Sequence, residues 1–186
     1  MTPRLLRPAL ALLTAAFLLT GCITNRSFGD GLDDTSADAN LKTALLGDKS
    51  HDYADVDITV FEGRLLLTGT MRTLVGKQHV GRLAANTENV TEVINELVVG
   101  KKTSFGQGAK DALLDERISA KFLADSDIIG GNYKVTVSKG VVYLLGLAQS
   151  AEELKEATDW ARGTSGVTKV VSHVLYVGDS RRGARQ

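Results

Sequence analysis

From Val56 to Gly69 the chain reads V-D-I-T-V-F-E-G-R-L-L-L-T-G, with apolar residues on alternate positions at Val56, Ile58 and Val60, then Leu65 and Leu67. That is the period of a strand with one buried face. The pattern recurs without a gap 77 positions later, from Tyr133 to Gly146, where Tyr133, Val135, Val137, Val142 and Leu144 take the same places. Between the two halves stands Glu62-Gly63 or Lys139-Gly140, and the glycine supplies the positive φ that a tight reversal needs. Each stretch therefore reads as a β-hairpin. Gly69 and Gly146, which close the copies, mark either the end of the second strand or a close crossing by another element.

The same displacement holds on both sides of the hairpin. Upstream, Leu41, Leu45 and Leu46 map onto Ile118, Phe122 and Leu123 at helical spacing, each set followed by Asp48 or Asp125. Downstream, Leu83 and Ala84 map onto Trp160 and Ala161, and Val90 and Val93 onto Val167 and Val170. Each unit reads helix, strand, strand, helix, strand. The fold class expected is α+β, two αββαβ domains, each a three-stranded mixed sheet covered on one face by two helices.

The first unit spans 37–100. Its first helix is read as Ala37 to Leu46, its second as Thr73 to Ala85 with Thr73 as N-cap, and its third strand as Val90 to Val99. A glycine-rich link, 101–108, leads to the second unit at 109–178. There the first helix is read from Ala109 to Ala124, with Leu114, Ile118 and Phe122 as its core stripe. The second starts S-A-E-E, where Ser150 and Glu153 match a capping box. Trp160 invites a reading as an interfacial anchor, but its counterpart in the first unit is Leu83, so it reads as an apolar core position.

Two surfaces stand out as candidate sites. On the first helix of the second unit, Leu113 lies off the core stripe beside Lys110, Arg117 and Lys121, the arrangement of a membrane-surface helix. A half-buried leucine among solvated cations fits the same residues, and Asp111, Asp115 and Glu116 dilute the positive field. The other surface is the sheet face turned away from the helices, which in the second unit carries Val141, Tyr143, Leu145, Val171, His173 and Leu175. So apolar a face is seldom left in water. Either the first unit or the link covers it, or a protein partner does, with Tyr143 and His173 as the contact residues.

The chain starts with Arg4 and Arg7, no acid, and an apolar run from Ala9 to Leu19, too short to span a bilayer and laid out as a signal peptide over 1–21. Leu19 to Cys22 reads L-T-G-C, which resembles the bacterial lipobox; the resemblance implies cleavage before Cys22 and a diacylglyceryl group on its thiol. Ile23 follows where aspartate favours inner-membrane retention, so the same resemblance points to the outer membrane. Cys22 is the one cysteine, which excludes a disulfide within the monomer. Residues 22–36 show no period and read as a flexible lipidated tether. At the other end, 179–186 reads as a flexible basic tail with Arg181, Arg182 and Arg185.

Charge and chemistry narrow the function further. Losing the leader takes Arg4 and Arg7 from 22 basic residues and leaves 20 against 22 acidic ones, a charge near −2 that argues against nucleic acid. His51, His79 and His173 stand without partners at metal-ligand spacing, so neither a metal nor a cofactor is expected. The chain has no G-x-G-x-x-G loop and no G-x-S-x-G elbow, so it reads as a binding protein and not an enzyme.

Both units carry the pattern (V/I)-x-V-x-x-G-x-(V/L)-x-L-x-G and then an apolar third strand. It falls on Ile58, Val60, Gly63, Leu65, Leu67, Gly69 and Val90, and on Val135, Val137, Gly140, Val142, Leu144, Gly146, Gly166 and Val167. This resembles tandem BON domains, with Asn89 standing where the second copy has Gly166. With the lipobox, the chain is similar to the dual-BON outer-membrane lipoproteins. That resemblance implies a protein anchored at the periplasmic face that binds anionic phospholipid through the second unit's first helix and keeps the outer membrane intact. Carried over by position, the lipid-binding surface includes Leu113, Arg117 and Lys121. The alternative is a periplasmic adaptor that binds an envelope protein through the apolar sheet face.

Overall fold

The computed structural model describes residues 28–182. The leader, Cys22 and Arg185 lie outside them. The first unit comprises α1 (Phe28–Gly47), β1 (Val56–Phe61), β2 (Arg64–Met71), α2 (Leu74–Ala85), β3 (Glu92–Asn95) and β4 (Val98–Val99). The second comprises α3 (Phe105–Ala124), a short 3-10 turn at Gly130–Asn132, β5 (Tyr133–Ser138), β6 (Val141–Ala148), α4 (Ala151–Gly163) and β7 (Lys169–Tyr176). In each sheet the hairpin strands are antiparallel, and the strand after the second helix joins the central strand in parallel.

The hairpin turns take their shape from the dipeptides named above. Glu62 and Gly63 have φ of 51° and 75°, and Lys139 and Gly140 have 52° and 76°. Two successive left-handed residues make the type I′ turn, whose twist matches that of the strands it joins. Gly69 and Gly146 lie inside their strands, which run on to Met71 and Ala148; an added Cβ would stand 1.8 Å from Asp55 O or 2.0 Å from Asn132 O. The close-crossing reading is the right one. Asn89, the departure from the family pattern, adopts φ 64° and makes the turn that Gly166 makes at 103°.

Several boundaries differ from expectation. Helix α1 starts at Phe28, not Ala37, so residues 28–36 belong to the fold and not to a tether. What holds this extra turn is Asp34, 5 % exposed, whose carboxylate accepts the Glu62 and Gly63 amides at 2.8 Å each. Helix α3 begins within the supposed link, at Phe105, because Ser104 accepts the Gln107 amide as N-cap. The third strand of the first unit breaks at Glu96 and Leu97, where Asn95 turns its side chain back to accept the Leu97 amide and donate to Lys77 O. Thr73 caps α2 as expected. Ser150 caps α4, but Glu153 reaches the amides of Gln149 and Ile129 instead of closing the box.

Each unit has its own core between helices and sheet. Leu41, Leu65, Leu67 and Val80 sit at the centre of the first, and Ile118, Phe122, Val142 and Leu144 at the centre of the second. A third cluster joins the units. Phe61 and Leu66 meet Tyr143, Leu145, Leu147 and Leu175 from the outer faces of the two sheets, with Ile94, Val141 and Val171 packed around them. The apolar outer face of the second unit is therefore covered by the first.

Two contacts define how the units are related. Thr59 Oγ1 lies 2.9 Å from Thr136 Oγ1, and Glu96 Oε1 lies 3.0 Å from His173 Nε2; both pairs are 77 apart. Equivalent positions touch each other only on a two-fold axis, so the units pack as the halves of a symmetric dimer do. The hairpin turn of each unit accordingly lies beside the opposite end of the other. Arg182 Nε and Nη2 donate to the Glu62 carboxylate at 3.0 Å each, and Lys139 Nζ donates to Lys101 O at 2.8 Å.

Candidate functional site

Helix α3 buries Asp111, Leu114, Ile118 and Phe122 against β5 and β6. Lys110, Leu113, Arg117 and Lys121, at steps of three and four, then fall on one flank. The structure divides these four. Lys110, Leu113 and Arg117 line a groove of about 450 Å³ whose far wall is Lys139 and Gly140 of the β5–β6 turn and Ser165, Gly166 and Thr168 after α4. Leu113 is 61 % exposed, and Lys110, Arg117 and Lys139 are exposed around it. Lys121 lies one and more turns away, half-buried, with its ammonium 3.7 Å from the centre of the Trp160 ring and 3.3 Å from Asp125.

Two of the three acids expected to dilute this flank, Asp111 and Asp115, point elsewhere. Asp111, 5 % exposed, accepts the Lys139 and Gly140 amides at 2.7 and 2.9 Å and the Gln107 side chain at 2.8 Å. It does in the second unit what Asp34 does in the first, at the same offset of 77. Asp115 accepts a bond from Ser119 and lines the cleft between the units, where burial pushes its pKa up against the opposing Ser119 bond. Of the three, Glu116 alone is exposed. The groove therefore presents cations around an apolar floor. Such a lining matches an anionic head bonded to an apolar tail.

Other expected positions move. Trp160 is at the surface, 40 % exposed, and not a core residue; its carbonyl accepts a bond from Thr164 Oγ1, and its ring faces Lys121. Asp125, below the ordinary carboxylate range through the Asp127 amide and then Lys121 and Trp160, ties α3 to α4. In the first unit Asp48 has this place and binds His79 Nε2 at 2.6 Å and the Tyr53 hydroxyl at 2.8 Å. The proposed partner residues are not free either. Tyr143 is 5 % exposed within the inter-unit cluster, and His173 faces Glu96 while its carbonyl accepts Arg64 Nη1 at 2.6 Å. The tail is likewise held as far as Arg182: Arg181 pairs with Asp179, whose pKa falls to about 2, chiefly through the Arg181 side chain.

Lys139 was missed by sequence reasoning, which placed it in a turn without placing the turn against α3. No helix among the described residues is long and apolar enough to cross a membrane.

The model of the BON domain matches residues 33–101 and again 110–178, the two structural units. The chain belongs to the BON domain family. Its start at residue 33 in BON domain 1 takes in Asp34, consistent with the longer α1. Over 193 residues, 95 % of this chain and all of the relative, it is 30 % identical to the outer membrane lipoprotein DolP of Haemophilus influenzae. It is 31 % identical to the 21 kDa hemolysin of Actinobacillus pleuropneumoniae over 82 % of this chain and 78 % of that protein. The osmotically-inducible protein Y of Escherichia coli is 28 % identical over 76 % of this chain and 72 % of its own length.

Proposed function

We propose that this is a lipid-anchored envelope protein, held at the periplasmic face of the outer membrane, whose second BON domain docks on anionic phospholipid through the α3 groove. It works by binding and supports the integrity of the membrane without catalysing a reaction. The observation that carries the reading is the gathering of Lys110, Leu113, Arg117 and Lys139 round one groove from which Asp111 and Asp115 are turned away. Lipidation at Cys22 rests on the L-T-G-C motif, and the outer membrane on the likeness to DolP along its whole length. Lys121 and Trp160 extend the basic flank beyond the groove.

The test is co-sedimentation of residues 22–186 carrying Cys22→Ser, a chain that keeps every residue of the three cores, with vesicles of phosphatidylglycerol or cardiolipin and with phosphatidylcholine alone. Pelleting is expected with the anionic vesicles and not with the neutral ones. Arg117→Glu should lower it about thirtyfold, since reversing one cation removes its attraction and adds a repulsion of about 1 kcal/mol each. Trp160 is the chain's one tryptophan, so its emission should shift to the blue on anionic vesicles. Equal pelleting with both vesicle types would reject the reading.

A further inference from the structure

The two-fold relation between the domains makes the two ends of the molecule alike in backbone, and they differ sharply in surface. At one end, where the 101–104 link crosses from BON domain 1 to α3, stand Leu46, Leu74, Val75, Val98, Val99 and Phe105, between 46 % and 94 % exposed. Val99 pairs with Met71 at the end of β2, three residues before Leu74, and α2 and β4 are in contact. Thr103 donates to Asp55 through its amide and its hydroxyl at 3.0 Å each, which seats Phe105 at the same end. Lys49, Arg72, Lys101 and Lys102 of this end are exposed; Lys49 Nζ donates to Leu46 O at 2.8 Å, and Lys102 lies 3.8 Å from Asp52.

At the other end Leu46, Val98 and Val99 have apolar equivalents in Leu123, Leu175 and Tyr176, but the remaining positions, 77 away, are occupied differently. Leu74 and Val75 are replaced by Ala151 and Glu152, Arg72 by Gln149, Lys49 by Ser126, and Lys101 and Lys102 by Gly178 and Asp179. Phe105 is replaced by Arg182, which is bound to Glu62. The fold thus forms without a bulky apolar residue at the equivalents of Leu74, Val75 and Phe105 and without a cation at those of Lys49, Arg72, Lys101 and Lys102. Their presence at one end is not a requirement of packing.

We infer that this end of BON domain 1, together with Phe105, is a second membrane-contact surface, which inserts Leu74, Val75 and Phe105 among the headgroups of an anionic bilayer while Lys49, Arg72, Lys101 and Lys102 meet the phosphates. The inference rests on the proposed docking of α3 on anionic phospholipid. Lys139, on the wall of the α3 groove, donates to Lys101 O, so the two surfaces are continuous through the link. A bilayer suits the chemistry better than a protein does. The apolar side chains project separately from two helix starts and a strand edge with cations between them, and an interfacial lipid layer accepts such projections without shape complementarity.

The experiment compares the 22–186 chain with three variants on phosphatidylglycerol vesicles: Leu74→Ser with Val75→Ser, Phe105→Ser, and Arg117→Glu. Thermal unfolding and sedimentation velocity are followed alongside. Because the altered residues are exposed, the melting temperature should stay the same, while the Leu74/Val75 pair should lower the partition coefficient about tenfold and Phe105→Ser by a similar factor. If Arg117→Glu lowers binding and the other two variants bind as the parent does, this inference falls and the α3 reading stands. Failure of the parent chain to bind anionic vesicles overturns both. Loss of self-association in the Leu74/Val75 variant with unchanged vesicle binding would make the patch an interface between copies and would also overturn the inference.

Discussion

At the scale of single residues, the clearest consequences come from carboxylates in the cleft of about 570 Å³ between the domains, lined by Asp55, Asp57, Asp111, Asp115 and Lys134. Burial, then Asp55 and Asp111 against the pull of Lys42, raises the pKa of Asp57 above its ordinary 3.8. A carboxyl whose folded-state pKa is raised is destabilising while ionised. That cost is present near neutrality, shrinks as the pH falls through the folded-state value, and is gone below the unfolded one. Asp57→Asn is expected to raise the melting temperature at about pH 7, and the difference from the parent should shrink as the pH falls and close below about pH 3. A gain that persists unchanged in acid would show that repulsion and burial are not its source. Asp57 was visible in the sequence as a polar position on the outer sheet face. Its neighbours Asp111 and Asp115 come from a helix 54 and 58 positions away and had no visible connection to it.

At the scale of elements, the repeated device is a helix that clamps a hairpin turn. Asp34 of α1 and Asp111 of α3 each accept two turn amides that no strand partner can satisfy. Asp111→Ala leaves both amides and the Gln107 side chain without this acceptor and should lower the unfolding free energy by about 2–4 kcal/mol, read from urea denaturation. The offset of 77 between the two aspartates was available in the sequence. It went unused because Gly29, Gly31 and the cluster of acids around Asp34 carry no apolar period, and α1 owes its first turns to the turn amides of a segment 28 residues away. Trp160 shows the converse limit. Its repeat partner Leu83 packs against the core of BON domain 1, yet the indole turns outward, because Asp125 and Lys121 hold it over the surface where Asp48 in the first domain holds His79.

At the scale of the molecule, two small cores are joined by a third, and stability is shared across the sheet-to-sheet contact. Leu145 is fully buried at that contact and belongs to neither domain's own core. Leu145→Ala should cost about 3 kcal/mol by the usual transfer and cavity terms, and should separate the unfolding of the two domains into two calorimetric transitions. A single transition with unchanged midpoint would mean that the Leu145 contact contributes nothing to stability or to coupling. The polar rim of Arg64, Glu96, His173 and the Glu62–Arg182 pair orients the contact. Glu96, His173 and Arg182 are partly solvated and contribute less than the apolar centre, whereas Arg64 is buried.

Periodicity and repetition in the amino-acid sequence were enough to establish two αββαβ units, their hairpin turns, the identity of the core stripes and the BON family. Those features depend on contacts close in the chain, or on an alternation that has one reading. The pairing of the units by a two-fold axis, the covering of Tyr143 and His173, the removal of Asp111 and Asp115 from the α3 flank, and the arrival of Lys139 beside Arg117 were decided only in the tertiary structure. Each of these depends on which of several apolar faces meet and on where a charged group finds its partner, and distant segments settle both.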